Sequence, residues 1–259
     1  MIVPPYLVDT PETRHERAAY YDLIAELDRL IGRILDDLEA AGQARDTIVV
    51  FASDHGAGFA FEKWTNYDAG LRVPLVVRWP GRVAAGTRSD AMVSLVDLLP
   101  TLLDLAGAPS PEDLDGRSFA DVLRGRERTH RSLAFGIHTN LGIVNGGPYP
   151  IRSVRDERYH YVRNLDATGA FKNNITEAGQ GGWPSWVERA ASDPFAAARV
   201  ARYQHRPGEE LYDLANDPFE LADLAADPGH RDVLERLRGE VDAWMLSQGD
   251  RGLAEETGP

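Results

Sequence analysis

The sequence predicts an α/β fold, and three observations carry that prediction. A long run from about Pro11 to Ala41 repeats apolar residues at helical spacing, and "TIVVFAS" (residues 47–53) is an unbroken β-branched and apolar stretch. A loop, a second apolar strand and a second amphipathic helix then follow in the order of a doubly wound sheet.

The first helix opens with Asp9 and Glu12 as a capping box around Pro11. Tyr20, Leu23, Ile24, Leu27, Leu30, Ile31, Ile34, Leu35 and Leu38 form its apolar stripe, and Gly42 ends it. The lack of alternation in "TIVVFAS" predicts a strand buried on both faces, as in the middle of a parallel sheet covered by helices. "VPLVVRWPG" (residues 73–81) is the second strand, and residues 92–109 read as a helix kinked at Pro100. Beyond Gly107 the texture changes. "DLDGRSFADVLRG" reads as a turn and short helix, "SLAFGIH" as a strand, and residues 149–165 as a hairpin turning at Asp156-Glu157. Residues 166–180 form a polar loop, and helical patterns cover 186–203 and 231–244 with the strand and turn "ELYDLANDP" between them. The expected organisation is residues 1–130 as an α/β layer and residues 131–259 as a smaller α+β domain built on an antiparallel sheet.

Composition narrows the function classes. A formal charge of −13 argues against a nucleic-acid backbone or an anionic membrane as partner. With no cysteine there is no disulfide, thiolate metal site or cysteine nucleophile within these residues. No signal peptide or spanning segment is present, so the chain reads as soluble, a bacterial protein of cytoplasm or periplasm, with any export signal lying before Met1. Of 28 basic residues only Lys63 and Lys172 are lysines, leaving 26 arginines, so each lysine invites a question.

In a doubly wound sheet, ligands bind beyond the carboxyl ends of the strands, where Asp54-His55 follow "TIVVFAS". A carboxylate suits a hard divalent cation and an imidazole can join it if the chain turns, which Gly56 and Gly58 allow. The same residues also read as a polar turn closing a strand. Lys63 offers a compact positive charge for a sulfuryl or phosphoryl oxygen, or else a solvated surface lysine. Tyr67, Asp68 and Arg72 read as turn residues, and Trp183 and Trp186 as packing residues rather than a sugar platform.

"TIVVFASDHG", Lys63, "YDAGLRVPLVVRWPG", "VSLVDLLPTLLDLAG" and "LDGRSF" together resemble the second half of the sulfatase family, in the alkaline-phosphatase-like superfamily. "YPIRSVRDERYHYVRNL", "ELYDLANDPFELADLAADP" and the opening forty residues are similar to its heparan N-sulfatase (sulfamidase) branch. The resemblance implies an alkaline-phosphatase-like sheet with flanking helices, incomplete at its N-terminus. It places Asp54 and His55 in a divalent-metal site, most simply calcium, and Lys63 against the sulfate. Many members carry asparagine where His55 stands, and imidazole suits softer metals better. His138 matches a histidine brought to the substrate from the smaller domain, and reads equally as a histidine closing a strand.

The family's nucleophile is a formylglycine made in a Cys/Ser-x-Pro-x-Arg motif, preceded by two metal-binding aspartates. None of these is found here. The expectation is therefore a C-terminal portion, inactive alone, whose partner is the N-terminal half of the same enzyme and whose substrate is a sulfated small molecule or glycan. Such a portion leaves apolar faces uncovered. Two alternatives stand beside it: a phosphodiesterase or phosphonate hydrolase of the same superfamily, and a glycan- or partner-binding remnant without turnover.

Overall fold

A computed structural model describes residues 2–139, 141, 145–177, 179 and 182–256. In chain order its elements are α1 (Pro11–Ala40), β1 (Val49–Ala52), α2 (Asp68–Leu71), β2 (Leu75–Arg78) and a 3-10 turn (Leu95–Asp97) running into α3 (Leu98–Ala106). Then come α4 (Ala120–Leu123), β3 (Ala134–His138), β4 (Ile151–Arg155), β5 (Tyr159–Asn164), α5 (Asn174–Glu177), α6 (Gly182–Ala190) and α7 (Pro194–Gln204). β6 (Glu209–Asp213), a second 3-10 turn (Pro228–His230), α8 (Arg231–Ser247) and α9 (Leu253–Glu256) complete the chain. Two compact units interleave: Met1–Ile24, His55–Arg72 and Phe135–Pro259 form one, Ala25–Asp54 and Val73–Ala134 the other. Where sequence texture suggests one cut near residue 130, the chain passes between units after Ile24, Asp54, Arg72 and Ala134.

Both ends of α1 are set locally. Thr10 caps it, its hydroxyl accepting from Thr13 N–H at 3.1 Å, while Asp9 instead holds Arg14 through two 2.6 Å bonds. The expected Asp9–Glu12 box gives way because Thr10 stands directly before Pro11, the position from which a hydroxyl reaches that orphan donor. At the other end Gly42, at φ 67°, donates to Glu39 and Gln43 donates to Leu38, a Schellman closure. The apolar stripe does not meet a core throughout. Leu23, Leu30 and Ile34 are 68%, 42% and 56% exposed.

The larger unit is built on a sheet in the order β3–β4–β5–β6, with β4–β5 and β5–β6 antiparallel. The β4–β5 hairpin turns where expected, Asp156 accepting from the amides of Arg158 and Tyr159 at 2.8 and 2.6 Å. Against the sheet pack Leu7, Phe61, Tyr67, Phe171, Trp183, Trp186 and Tyr203. The helical pattern over 186–203 is two helices. Asp193 caps α7 by accepting from Phe195 N–H at 2.9 Å, and Pro194 starts it.

In the second unit the expectation of a parallel sheet with a doubly buried strand is corrected. β1 and β2 pair antiparallel, Val49 opposite Arg78 and Phe51 opposite Val76, and all four β1 residues are only half-buried. A parallel neighbour needs a long helical crossover, and the only helix described between these strands is the four-residue α2. The helix expected over 92–109, interrupted or kinked at Pro100, is a 3-10 turn running into α3. Pro100 does not interrupt α3. It lies in the first turn of α3, where an N–H has no helical partner to lose. The unit's hub is Asp97. Wholly buried, it accepts from the amides of Ser94 and Arg117, both at 2.9 Å, from Arg131 Nε at 2.7 Å, and from His130. Burial alone would raise its carboxyl, but these donors outweigh burial and hold it below the usual range.

Candidate active site

Asp54 follows β1 as an exposed residue of the unit containing that strand, and His55 opens the His55–Arg72 segment of the other unit. His55 Nδ1 lies 2.8 Å from the Gly56 carbonyl, which assigns the proton to Nδ1 and the lone pair to Nε2. Gly56 is required for close approach. Its N–H donates to Gly70 at 2.8 Å, and a Cβ there would lie 2.1 Å from the Ala69 carbonyl oxygen. As a donor set, one carboxylate and one imidazole fall short of calcium, which takes about six to eight oxygens. Among the described residues no group of three or more histidine, aspartate or glutamate side chains could hold a metal.

Lys63 sits in a tightly closed loop. Its N–H donates to Ala57 O at 2.9 Å, and Glu62 O accepts from both the amide and the hydroxyl of Thr65, at 3.2 and 2.7 Å. Phe61 and Trp64, on either side, are held at φ 66° and 64°. Side chains with a Cβ rarely adopt this conformation, at a cost of roughly 1–3 kcal/mol each, unless the surroundings dictate it. The Lys63 ammonium lies 4.7 Å from the centre of the Trp64 indole.

Lys63 and Trp64 open onto a cavity of ≈ 310 Å³, with Glu16, Phe59, Asn174, Trp183 and Trp186 among its other walls. Cation, indoles, carboxylate and amide together suit a polar ligand carrying a negative group. Trp183 and Trp186 are also packing residues, as expected. They are 6% and 3% exposed, Trp186 Nε1 donates to Thr13 at 2.8 Å, and Trp183 lies 5.1 Å from the Tyr203 ring. Tyr67, Asp68 and Arg72 line a smaller cavity of ≈ 150 Å³ with Tyr6, Phe61 and Arg199, and Asp54, His55, Lys63 and His138 are not among its walls.

His138 ends β3 with its ring edge-on to Phe171 at 5.7 Å, and it is not among the residues lining the Lys63 cavity. Tyr67, Asp68 and Arg72 are structural. Tyr67 donates to buried Glu210 at 2.7 Å, and Asp68 pairs with Arg155 and Arg72. Sequence reading missed Glu62. Only 4% exposed, it accepts from Tyr6 Oη at 3.0 Å and Arg17 Nη1 at 3.2 Å. Burial outweighs these donors and pushes its carboxyl up to about 7. Nothing in "FAFEKW" marks Glu62 as buried, because its partners lie 56 and 45 residues away in the chain.

Comparison with known proteins supplies the context. A family model described as Sulfatase matches residues 5–108. An ulvan-active sulfatase of Formosa agariphila is 34% identical over 90% of this chain and 44% of its own length. Human N-sulphoglucosamine sulphohydrolase is 31% identical over 96% of this chain and 51% of its own. A candidate sulfatase structure from Bacteroides thetaiotaomicron VPI-5482 superposes with a TM-score of 0.70 at 25% identity, over 95% of this chain and 46% of that one. The chain thus spans about half the length of these proteins.

Proposed function

From the premise that this chain belongs to the sulfatase family and shares its alkaline-phosphatase-like α/β fold, we propose that it forms the lysine-bearing side of a site hydrolysing a sulfate ester or N-sulfate. The observation that carries this reading is Lys63, one of two lysines in 259 residues, at the wall of the larger cavity described. Its ammonium neutralises charge building on the sulfuryl oxygens as the bond to the leaving group breaks, and the indole beneath keeps water from one face of that charge. Glu16 and Asn174 offer an acceptor and an amide to the hydroxyls of a saccharide.

The nucleophile lies outside these residues, since they contain neither cysteine nor Ser-x-Pro-x-Arg. In this reading a further sulfatase segment, the chain's partner, would hold a formylglycine whose hydrate would supply the nucleophilic oxygen for sulfur. Asp54 and His55 would contribute one carboxylate and one imidazole to a divalent cation, calcium by family resemblance, whose remaining ligands come from the same segment. His138, at the end of β3 in the larger unit, is proposed as a substrate-side histidine. The glycan reading is supported by the Formosa agariphila relative, described as active on ulvan.

A substrate comparison tests the reaction class. Joined to a formylglycine-bearing sulfatase segment, the chain is expected to release sulfate from glucosamine N-sulfate or an aryl sulfate faster than it cleaves a phosphonate monoester. The reverse preference would assign it to the phosphonate hydrolases instead.

A further inference from the structure

We propose that Glu62 is the positioning residue for Lys63, a clamp that fixes where the lysine ammonium stands in the cavity. This rests on the reading of Lys63 as the sulfate-contacting cation, but the geometry can be tested without turnover.

Two donors from two places in the chain converge on the Glu62 carboxylate: Tyr6 Oη at 3.0 Å from the N-terminal segment and Arg17 Nη1 at 3.2 Å from α1. The Ala57 carbonyl accepts the Lys63 N–H at 2.9 Å. Residues 57 to 63 therefore close into a ring through the backbone, and Glu62 ties that ring to the N-terminal segment and α1. The bonds from Thr65 to the Glu62 carbonyl lock the turn beyond Lys63. Gly70 leaves room for that turn. A Cβ there would stand 2.4 Å from Glu62 O and 2.6 Å from Thr65 O.

Glu62 is buried while Lys63, the next residue, lines the cavity, so the anchored carboxylate fixes the backbone from which the lysine reaches it. The left-handed backbone at Phe61 and Trp64 persists only where its surroundings over-determine it, and the Glu62 contacts are the polar part of that determination. Arg17 is itself held, with its guanidinium 4.9 Å from the Phe59 ring, another wall of the cavity. The clamp thus links α1, the Lys63 loop and the cavity wall.

The chain's two lysines make the test direct. Reductive methylation with 13C-formaldehyde labels both lysine ammonium groups besides the N-terminal amine, and Lys63→Arg and Lys172→Arg variants assign the two lysine signals. The Lys63 methyls are expected upfield of those of Lys172, shifted by the Trp64 ring current, and Trp64→Leu should abolish the difference. Glu62→Gln keeps the size but loses the charge that holds Arg17. It should move the Lys63 signal at least halfway toward the Lys172 position while the Lys172 signal stays put. Tyr6→Phe, which removes one of the two donors, should move it the same way by less, and decides alone if Glu62→Gln does not fold. A Lys63 signal unmoved in the folded variants, or a Lys172 signal that moves as far, would overturn the proposal. Turnover plays no part in this spectrum, so a failed substrate test and a failed clamp remain distinguishable.

Discussion

Replacing Lys63 by alanine, in the chain joined to a formylglycine-bearing segment, is expected to lower sulfate turnover by about 100-fold or more, the effect typical of a lost oxyanion stabiliser. The loss should fall on kcat at least as heavily as on KM, because charge on the sulfuryl oxygens grows toward the transition state. Lys63→Arg should recover only part of the rate. A planar guanidinium cannot place a compact charge over Trp64 within the space the ammonium uses. Steady-state kinetics on glucosamine N-sulfate makes the comparison. Equal rates for wild type, Lys63→Ala and Lys63→Arg would return Lys63 to the surface.

The second large effect concerns stability. Asp97→Ala is expected to cost the smaller unit about 3–5 kcal/mol, the range for removing one partner of a buried ion pair. The loss exceeds that of a single contact because one carboxylate joins three stretches: the 3-10 turn at Ser94, the Arg117 backbone and the Arg131 guanidinium. Removing it leaves two part-buried amides and a largely buried guanidinium without that acceptor. Urea denaturation followed by circular dichroism reads the change, and a loss below about 1 kcal/mol would show that water replaces the carboxylate at little cost. Asp97→Asn should fall between, since an amide oxygen still accepts while the charge is gone.

Much of the fold was legible because it is local. The α1 periodicity, the Asp156 turn and the strand and turn around Glu209–Asp213 all depend on neighbours within a few residues, and the structure has each of them. Strand direction was not legible. "TIVVFAS" and "VPLVVRWPG" carry the apolar continuity of a parallel core, yet antiparallel pairing is set by the route of the intervening chain, which composition does not encode. At the site, Lys63 stood out by rarity and Asp54-His55 by position after a strand. Glu62 and Trp64 gave no signal. A buried glutamate is defined by partners distant in sequence, and a tryptophan in the left-handed region is defined by the loop around it. The exposed stripe of α1 has the same origin: periodicity fixes which face is apolar, and only the full set of packed elements decides what covers it.

The central claim is that this chain supplies the Lys63 side of a sulfatase site and needs another segment for the attack on sulfur. Sulfate release from glucosamine N-sulfate, measured for the 259-residue chain alone and joined to a formylglycine-bearing segment, with calcium present in both, tests it most directly. The account predicts no release by the chain alone and clear turnover by the joined protein. Metal-dependent release by the chain alone, abolished by Lys63→Ala, would contradict it and require a nucleophile among these residues.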